Sequence, residues 1–477
     1  MKQTVCYQDS NVKNMLLSIK NMSVRILCFT CIAIMFMSCK TDKKEESQQK
    51  EIQFITVDPG HFHAALVQKY SYPEVDSTVH IYAPKSDDVK LHLNRIDGFN
   101  SRDDNPTQWN SILYTGNDFF EKMISEKKGN VVVLAGNNQK KTEYINKSIS
   151  EGLHVLADKP MAINTEDFKL LKETFQLAKQ KNVLLYDVMT ERFEITSILQ
   201  RELSMNKAIF GEFEKGSLEN PTITKESVHH FFKYVSGNIL TRPPWFFDVE
   251  QEGEGIVDVT THLVDLIQWQ CYPNQILNES DVELISAKRE PTILTKKEFK
   301  AVTKQNDFPE YLRKDIVNDT ALAVYCNGEI NYKLKDIHAK VSVKWNYKAP
   351  EGTKDTHFSK MRGTLANLSI KQGEAQNYKP TLYIEVENPS EVYTKTLLEE
   401  FKNLEEKYSG ISLKEIDNGW EVIIPESYKN GHEAHFSQVT EKFIEYLTNG
   451  NLPEWEIPNM ITKYYTTTKA LELAKSN

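Results

Sequence analysis

Gly152-Leu-His-Val-Leu-Ala-Asp-Lys-Pro160 is the stretch whose reading decides the fold. Its apolar tract, His154-Val-Leu-Ala157, reads as a strand, and Gly152 stands where a helix over residues 142–151 has to stop. Glycine suits that place because the residue after a helix end commonly turns left-handed. On the far side, residues 165–180 read as the next helix and Val183-Leu-Leu-Tyr186 as the next strand. Working upstream, Asn130-Val-Val-Val-Leu-Ala135 is apolar throughout and bounded by Gly129 and Gly136, the pattern of a strand buried on both faces. Ile52-Gln-Phe-Ile-Thr-Val57 and Ser77-Thr-Val-His-Ile-Tyr82 are earlier strands, residues 118–126 a helix, and the polar residues 83–109 a long surface excursion.

Strands that alternate with helices on this scale predict right-handed β-α-β units and a Rossmann-like parallel sheet over residues 51–190. Such sheets bind ligands beyond the carboxyl ends of their strands. Gly60, Gly136, Lys159 and Asp187 fall there. After residue 190 the texture changes. Phe210-Gly-Glu-Phe-Glu214, Ala321-Leu-Ala-Val-Tyr325, Ile330-Asn-Tyr-Lys-Leu334, Ala339-Lys-Val-Ser-Val-Lys-Trp345, Leu365-Ala-Asn-Leu-Ser-Ile370 and Thr381-Leu-Tyr-Ile-Glu-Val386 are strand-like. Several alternate apolar with polar, which suits an antiparallel sheet with one exposed face. With helices at 257–271, 392–407 and 435–448, residues 191–477 read as an α+β domain with an open, largely antiparallel sheet.

The N-terminal residues carry a different message. Met22-Ser-Val-Arg25, an apolar run over residues 26–37 and Ser38-Cys39 form a secretory signal of the lipoprotein kind. The run is too short to cross a bilayer of about 30 Å as a helix. Residues 1–39 are therefore expected to be signal, Cys39 the lipidated residue, and the polar residues 40–50 a solvated tether. Export to a bacterial membrane surface follows as an expectation, with the membrane engaged only through that lipid. Of 6 cysteines, only Cys271 and Cys326 lie beyond Cys39, which leaves room for one disulfide and no metal spacing. The net charge of −9 argues against nucleic-acid partners.

A dinucleotide loop normally reads Gly-x-Gly-x-x-Gly between the first strand and helix. Here Asp58, Gly60 and His63 hold those positions, so only the central glycine remains. It would let the backbone approach a pyrophosphate, provided that Asp58-Pro59 makes the turn by other means. The acid expected at the end of the second strand is missing, since Ile81-Tyr82-Ala83-Pro84 stands there, and NAD and NADP both remain open. His61 and His63 flank the loop without a third ligand nearby in sequence, so no metal is expected.

Oxidising a secondary alcohol needs a hydride acceptor and a group that takes the hydroxyl proton, ideally with a pKa near working pH. Lys159 leaves a strand end beside Pro160, where a neighbouring cationic ring would push its pKa down. Asp258 and His262 are four apart, on one face of a helix, so that Asp258 can orient the imidazole. Taken singly, Lys159 also reads as a solvated lysine and Asp258/His262 as a surface pair.

In this order and spacing the residues resemble the glucose–fructose oxidoreductase/inositol dehydrogenase (Gfo/Idh/MocA) family. Gly152 to Pro160 is similar to its Gly-Lys-His-Val-x-x-Glu-Lys-Pro signature, with Asp158 for glutamate. Gly253-Glu-Gly-Ile-Val-Asp258-Val-Thr-Thr-His262-Leu-Val-Asp265 resembles its glycine run and Asp-x-x-x-His-x-x-Asp motif, and Glu191-Arg192-Phe193 its Arg-Phe pair. The resemblance implies that Lys159 hydrogen-bonds the reacting oxygen, that His262 is the acid/base and that Asp258 is its partner. It places Gly60, His61, Phe62, His63, Asn137, Asp158, Lys159 and Arg192 on NAD or NADP. Arg242, Trp245 and His262 fall on a sugar or glycoside, although Trp245 also reads as a buried loop anchor. A homo-oligomer paired through the open sheet is implied as well. An exported protein meets no ready pool of free cofactor, so the cofactor is expected to be non-dissociating. Three readings follow: a sugar oxidoreductase, a redox-neutral glycoside cleavage through oxidation at C3 and elimination, and a sugar-binding lipoprotein without catalysis.

Overall fold

The computed structural model describes residues 51–235 and 238–476. The signal, Cys39 and the tether lie outside the described residues. Six parallel strands open the fold: β1 (Phe54–Val57), β2 (Thr78–Ala83), β3 (Asn110–Thr115), β4 (Val131–Leu134), β5 (His154–Asp158) and β6 (Leu185–Val188). Their order is β3-β2-β1-β4-β5-β6, all paired in parallel. This is the dinucleotide-fold order, and its direction reverses between β1 and β4, which opens a crevice at their carboxyl ends. Every residue of β1 and β4 is buried, as helices on both faces require.

The connecting helices are α1 (His63–Leu66), α2 (Asp87–Ser101), α3 (Phe119–Glu126), α4 (Lys141–Ser150) and α5 (Thr165–Lys181). Gly152 does end α4, with φ +80°. Asn164 caps α5 by accepting from the Asp167 amide at 2.8 Å, and Asn182 closes it in the left-handed region. Residues 83–109 are no excursion: they hold α2 and lead into the edge strand β3.

The second sheet contains β7 (Ile223–Phe232), β8 (Val282–Thr295), β9 (Ala321–Leu334), β10 (Ile337–Lys348), β11 (Thr356–Arg362), β12 (Asn367–Gln372), β13 (Thr381–Glu385), β14 (Ser412–Ile416) and β15 (Gly419–Ile423). Their order is β8-β9-β10-β7-β11-β12-β13-β15-β14. All pairings are antiparallel except β10 with β7, where Ala339 faces Ile223. Helices α6 (Ile195–Met205), α7 (Thr260–Cys271) and α9 (Glu391–Lys407) share an apolar core with one face of this sheet. Phe210–Glu214 forms no strand; only Phe213 bridges, to Gly363. Helix α8 (Lys296–Thr303) lies beside a separate aromatic cluster that includes Phe231, Trp245, Phe247, Phe299 and Trp345.

The chain then returns to where it began. Helices α10 (His432–Asn449) and α11 (Glu456–Ser476) put Phe436, Val439, Phe443, Met460 and Tyr464 into the core of the parallel-sheet region. The boundary at residue 190 therefore separates the two sheets but not the two cores. Cys271 and Cys326 are both free and buried, so they form no disulfide. Among the described residues no helix is long and apolar enough to cross a membrane.

Candidate active site

The loop after β1 makes its turn without the first glycine. Asp58 takes φ +46°, and its amide donates to the Tyr82 carbonyl at 3.0 Å. Burial, helped by the charge of Asp88, pushes the Asp58 carboxyl up to about 6. Gly136, after β4, packs so closely that a Cβ there would collide with the Asp58 carbonyl. A Cβ on Gly60 would meet the Trp245 ring at 3.0 Å. The amides a phosphate would ordinarily use are committed elsewhere: Gly60 donates to the Asp58 carbonyl at 2.7 Å and His61 to the Ala135 carbonyl at 3.1 Å. The following helix is only the four residues of α1, which leaves little dipole to help.

Beside this loop lies a pocket formed by Pro59–Phe62, by Asp88, Leu91 and Arg95 of α2, and by Leu240–Pro243 and Phe246 from the second-sheet region. Two guanidinium groups enter it. Arg95 donates to the Leu91 carbonyl at 3.2 Å, and Arg242 to the Phe231 carbonyl at 3.0 Å through Nε and to the His230 carbonyl at 3.4 Å through Nη2, which leaves its Nη1 for a ligand. Burial pushes Arg242 down to about 10, well above neutral pH. Arginine forks suit phosphate oxygens. The residues present thus fit a dinucleotide, with arginines and a bare Gly60 in place of a row of amides.

At the end of β5, Lys159 forms an ion pair with Asp258, and both are largely buried. Burial lowers the Lys159 pKa, but the charges of Asp258 and Asp158 and the bond to Asp258 outweigh it and hold it above the usual lysine value. Lys159 is therefore a proton-bearing donor rather than the neutral base that a depressed pKa would give. Asp258 lies just before α7 and serves Lys159; it does not orient the His262 imidazole. The His262 Nδ1 is buried with no hydrogen-bond partner. Burial, then the charges of Lys159 and His432, hold His262 well below the usual histidine range, so its ring is neutral.

Asp158 accepts from the Lys159 amide at 2.9 Å through Oδ1 and from His63 Nδ1 at 2.8 Å through Oδ2. His61 Nδ1 is 3.9 Å from the same Oδ2. A third ligand-type group thus stands beside His61 and His63, which corrects the expectation drawn from their sequence neighbours. Asn137 donates to Gln251 at 2.7 Å, with its backbone next to Gly60. Phe62 lines the pocket under Arg95.

Two assignments change. Arg192 spends its whole guanidinium on Asp265, at 2.7 Å twice, and on Glu456 at 3.0 Å, which removes it from any cofactor. Trp245 donates to Asp88 at 3.1 Å and lies on Gly60, so it covers the nucleotide loop instead of lining an open sugar site. Asp187 faces Tyr464 and Lys463 rather than the crevice.

Family comparisons agree with this geometry. The model "Oxidoreductase family, NAD-binding Rossmann fold" matches residues 59–188, and "Putative oxidoreductase C terminal domain" matches residues 199–475. The crystal structure of "a putative oxidoreductase" from Parabacteroides merdae is 57% identical, with a TM-score of 0.88 over 90% of this chain and 98% of that one. The chain belongs to the Gfo/Idh/MocA oxidoreductase family. A levoglucosan dehydrogenase in complex with NADH and L-sorbose matches with TM-score 0.56 over 89% of this chain and 97% of that one. A 3-ketoreductase from Actinomadura kijaniata in complex with NADP and TDP-benzene matches with TM-score 0.53 over 88% and 96%. Both are 12% identical and share the fold alone. No curated protein matches the chain.

Within this family framework, several site residues carry no local sequence signal. Glu252 is buried, bound by Asn138, and held well above the usual carboxyl range by burial and by Asp258. Lys141 donates to the Asp158 carbonyl at 3.1 Å, and burial pushes it down to about 8. Burial lifts Glu191, which lies within the field of Lys159, to about 7. His432 reaches the site from α10, with its ring 5.7 Å from that of His63. Lys141 opens the helix directly before β5, but Glu252, Glu191 and His432 come from later segments that only the fold brings to Lys159.

Proposed function

We propose that the chain oxidises a hydroxyl of a sugar or glycoside with a tightly held NAD(P). The observation that carries this reading is the buried Lys159–Asp258 ion pair at the carboxyl end of a dinucleotide-type sheet, with the His262 Nδ1 buried and unpartnered within the field of Lys159. A bound nicotinamide supplies the acceptor for the substrate hydride. Lys159 Nζ donates a hydrogen bond to the reacting oxygen and favours it as negative charge develops there. The neutral His262 imidazole takes the hydroxyl proton, and Asp258 keeps Lys159 charged and aimed. Arg95 and Arg242 hold the diphosphate, while Asp88, which lines the same pocket beside Gly60, serves the ribose that the end of β2 leaves without a carboxylate.

The lipoprotein-type signal supports placing the chain outside the cytoplasm, anchored through Cys39. No free dinucleotide pool exists there, which favours a cofactor retained from one turnover to the next. A second reading, oxidation followed by elimination and re-reduction, is supported by the extra titratable group Glu191, whose pKa near 7 suits removal of a C–H proton. The test is to purify the full chain, denature it and assay released dinucleotide. Near one equivalent per chain is expected; none released and none taken up from added NAD or NADP overturns both hydride readings. Glycoside incubated with the holoprotein then gives keto-sugar under the first reading, and free sugar with aglycone under the second.

A further inference from the structure

Three ligand-type side chains converge on the nucleotide loop at a point the hydride chemistry leaves unused. His61, His63 and Asp158 each offer an atom there, and the three atoms lie within 4.8 Å of one another. We propose that His61, His63 and Asp158 form a site for a first-row divalent metal ion of the zinc type, with one coordination position left open.

The geometry needs little adjustment. Zinc bonds of about 2.0–2.1 Å in a tetrahedron set ligand atoms roughly 3.3 Å apart. The Asp158 Oδ2 distances of 2.8 Å to His63 and 3.9 Å to His61 bracket that value. The carboxylate is already oriented: Oδ1 is held by the Lys159 amide, so Oδ2 faces the imidazoles. Both rings are available as ligands, since burial keeps each neutral and a neutral nitrogen lone pair is what a metal takes. His61 Nδ1 accepts only a long 3.3 Å contact from the His63 amide, and the His63 Nδ1 proton shared with Asp158 is the one the ion would displace.

The charge balance is also favourable. Lys159 is neutralised by Asp258, and Lys141, which donates to the Asp158 carbonyl at 3.1 Å, is pushed down to about 8 by burial. Two neutral imidazoles and one carboxylate leave a divalent ion with one net positive charge. That charge sits beside a loop whose own amides are turned to the Asp58 and Ala135 carbonyls. An anionic oxygen is the natural fourth ligand, a diphosphate oxygen if the dinucleotide reading holds; the metal site itself does not depend on that reading.

Zinc affinity is measured by competition with a chromophoric chelator, on full-length protein stripped of metal and free of dinucleotide. One tight equivalent is expected. His61→Ala and Asp158→Asn are expected to weaken it by more than about a hundredfold, beyond the roughly 10–100-fold that changes behind the ligands produce. His338→Ala, on the second sheet, is the control and leaves it unchanged. Thermal melts confirm that each variant is folded, and His61, with its side chain 18% exposed, is the substitution least able to disturb the core. Equal zinc binding by wild type and both variants overturns the site, as does the absence of a tight equivalent in the wild type.

Discussion

At the scale of single residues, Lys159 and His262 divide the work by protonation state. Removing a donor aimed at developing oxyanion charge costs about 10²–10³ in kcat. Lys159→Ala is therefore expected to lose that much kcat and, because it strands the buried Asp258 carboxylate, to lower the thermal melt as well; unchanged turnover by the folded variant would remove Lys159 from the chemistry. His262→Asn removes the proton acceptor and is expected to lose about 10²–10⁴. The two protonation states also set the pH profile. A neutral imidazole is required, and its pKa is depressed by burial and by Lys159, so its acid limb lies below the ordinary histidine value of about 6.5. Lys159 must keep its proton, and its raised pKa moves the basic limb above the ordinary lysine value of about 10.4. Measured in the Glu191→Gln background, which removes the carboxyl titrating at about 7, kcat/KM is expected to show no step between these limits except one near 8, where the buried Lys141 loses its proton. An acid limb at 6.5 or higher in that background would show an imidazole open to solvent and unperturbed by Lys159. Lys159 and His262, the two residues of the proposed chemistry, are singled out by the sequence alone. The pairing of Asp258 with Lys159 is not, because spacing along one helix cannot show that a strand 99 residues earlier reaches the same carboxylate.

At the scale of elements, the nucleotide loop rests on two glycines that do different things. Gly136 lets β4 end against the Asp58 carbonyl, a backbone atom with nowhere to move. Gly60 faces only the edge of a side chain, the Trp245 ring on the Pro244–Phe247 turn. Gly136→Ala is expected to lower stability by about 1–3 kcal/mol, the range for overpacking. Gly60→Ala is expected to lower it by less, because Trp245 can shift, while weakening dinucleotide binding. Urea denaturation and cofactor titration of the two variants check this; the reverse ranking of stabilities would mean that the loop, not the tryptophan, is the yielding part. The same contrast between apolar and polar interiors explains which elements the sequence revealed. β4 declares itself as an apolar run between Gly129 and Gly136, and β5 as one between Gly152 and Pro160. β7 hides at the centre of the second sheet because its buried face includes Lys225 and Ser227. Lys225 donates to Ser359 at 2.7 Å, and burial pushes it down to about 7, an arrangement that no hydropathy pattern announces. In α2 the buried positions are Val89, His92 and Ile96, too thin a stripe against a polar helix to read as one.

At the scale of the whole molecule, the two sheets are joined by a buried ion network rather than by apolar packing alone. Lys463 of α11 is fully buried and bridges Asp187 of β6 at 2.7 Å and Asp265 of α7 at 2.8 Å. Arg192 completes it by binding Asp265 and Glu456, so β6, α7 and α11 meet through charges with almost no solvent. Burial raises the Asp265 pKa, but Arg192 and Lys463 overcome it and hold the carboxyl ionised far below the usual range. This is why α11 escaped a reading based on apolar periodicity: Thr462, Lys463, Thr466 and Thr467 lie on its buried side. It is also why Arg192 read as a ligand residue, since the family resemblance places it there while its two acidic partners, Asp265 and Glu456, are distant in sequence. Removing one partner of a buried pair leaves uncompensated charge and costs about 3–5 kcal/mol, whereas a solvent-exposed pair is worth about 0–1 kcal/mol. Lys463→Met, which leaves Asp187 without its cation and Asp265 with Arg192 alone, is expected to lose about 3–5 kcal/mol in urea denaturation. Lys172→Met, which breaks the half-exposed pair with Glu279, is expected to lose no more than about 1 kcal/mol. Equal losses would mean that water reaches the network and that apolar packing of α10 and α11 holds the two halves together. The larger loss for Lys463→Met would mean that the ion network, and not apolar packing alone, holds β6, α7 and α11 together.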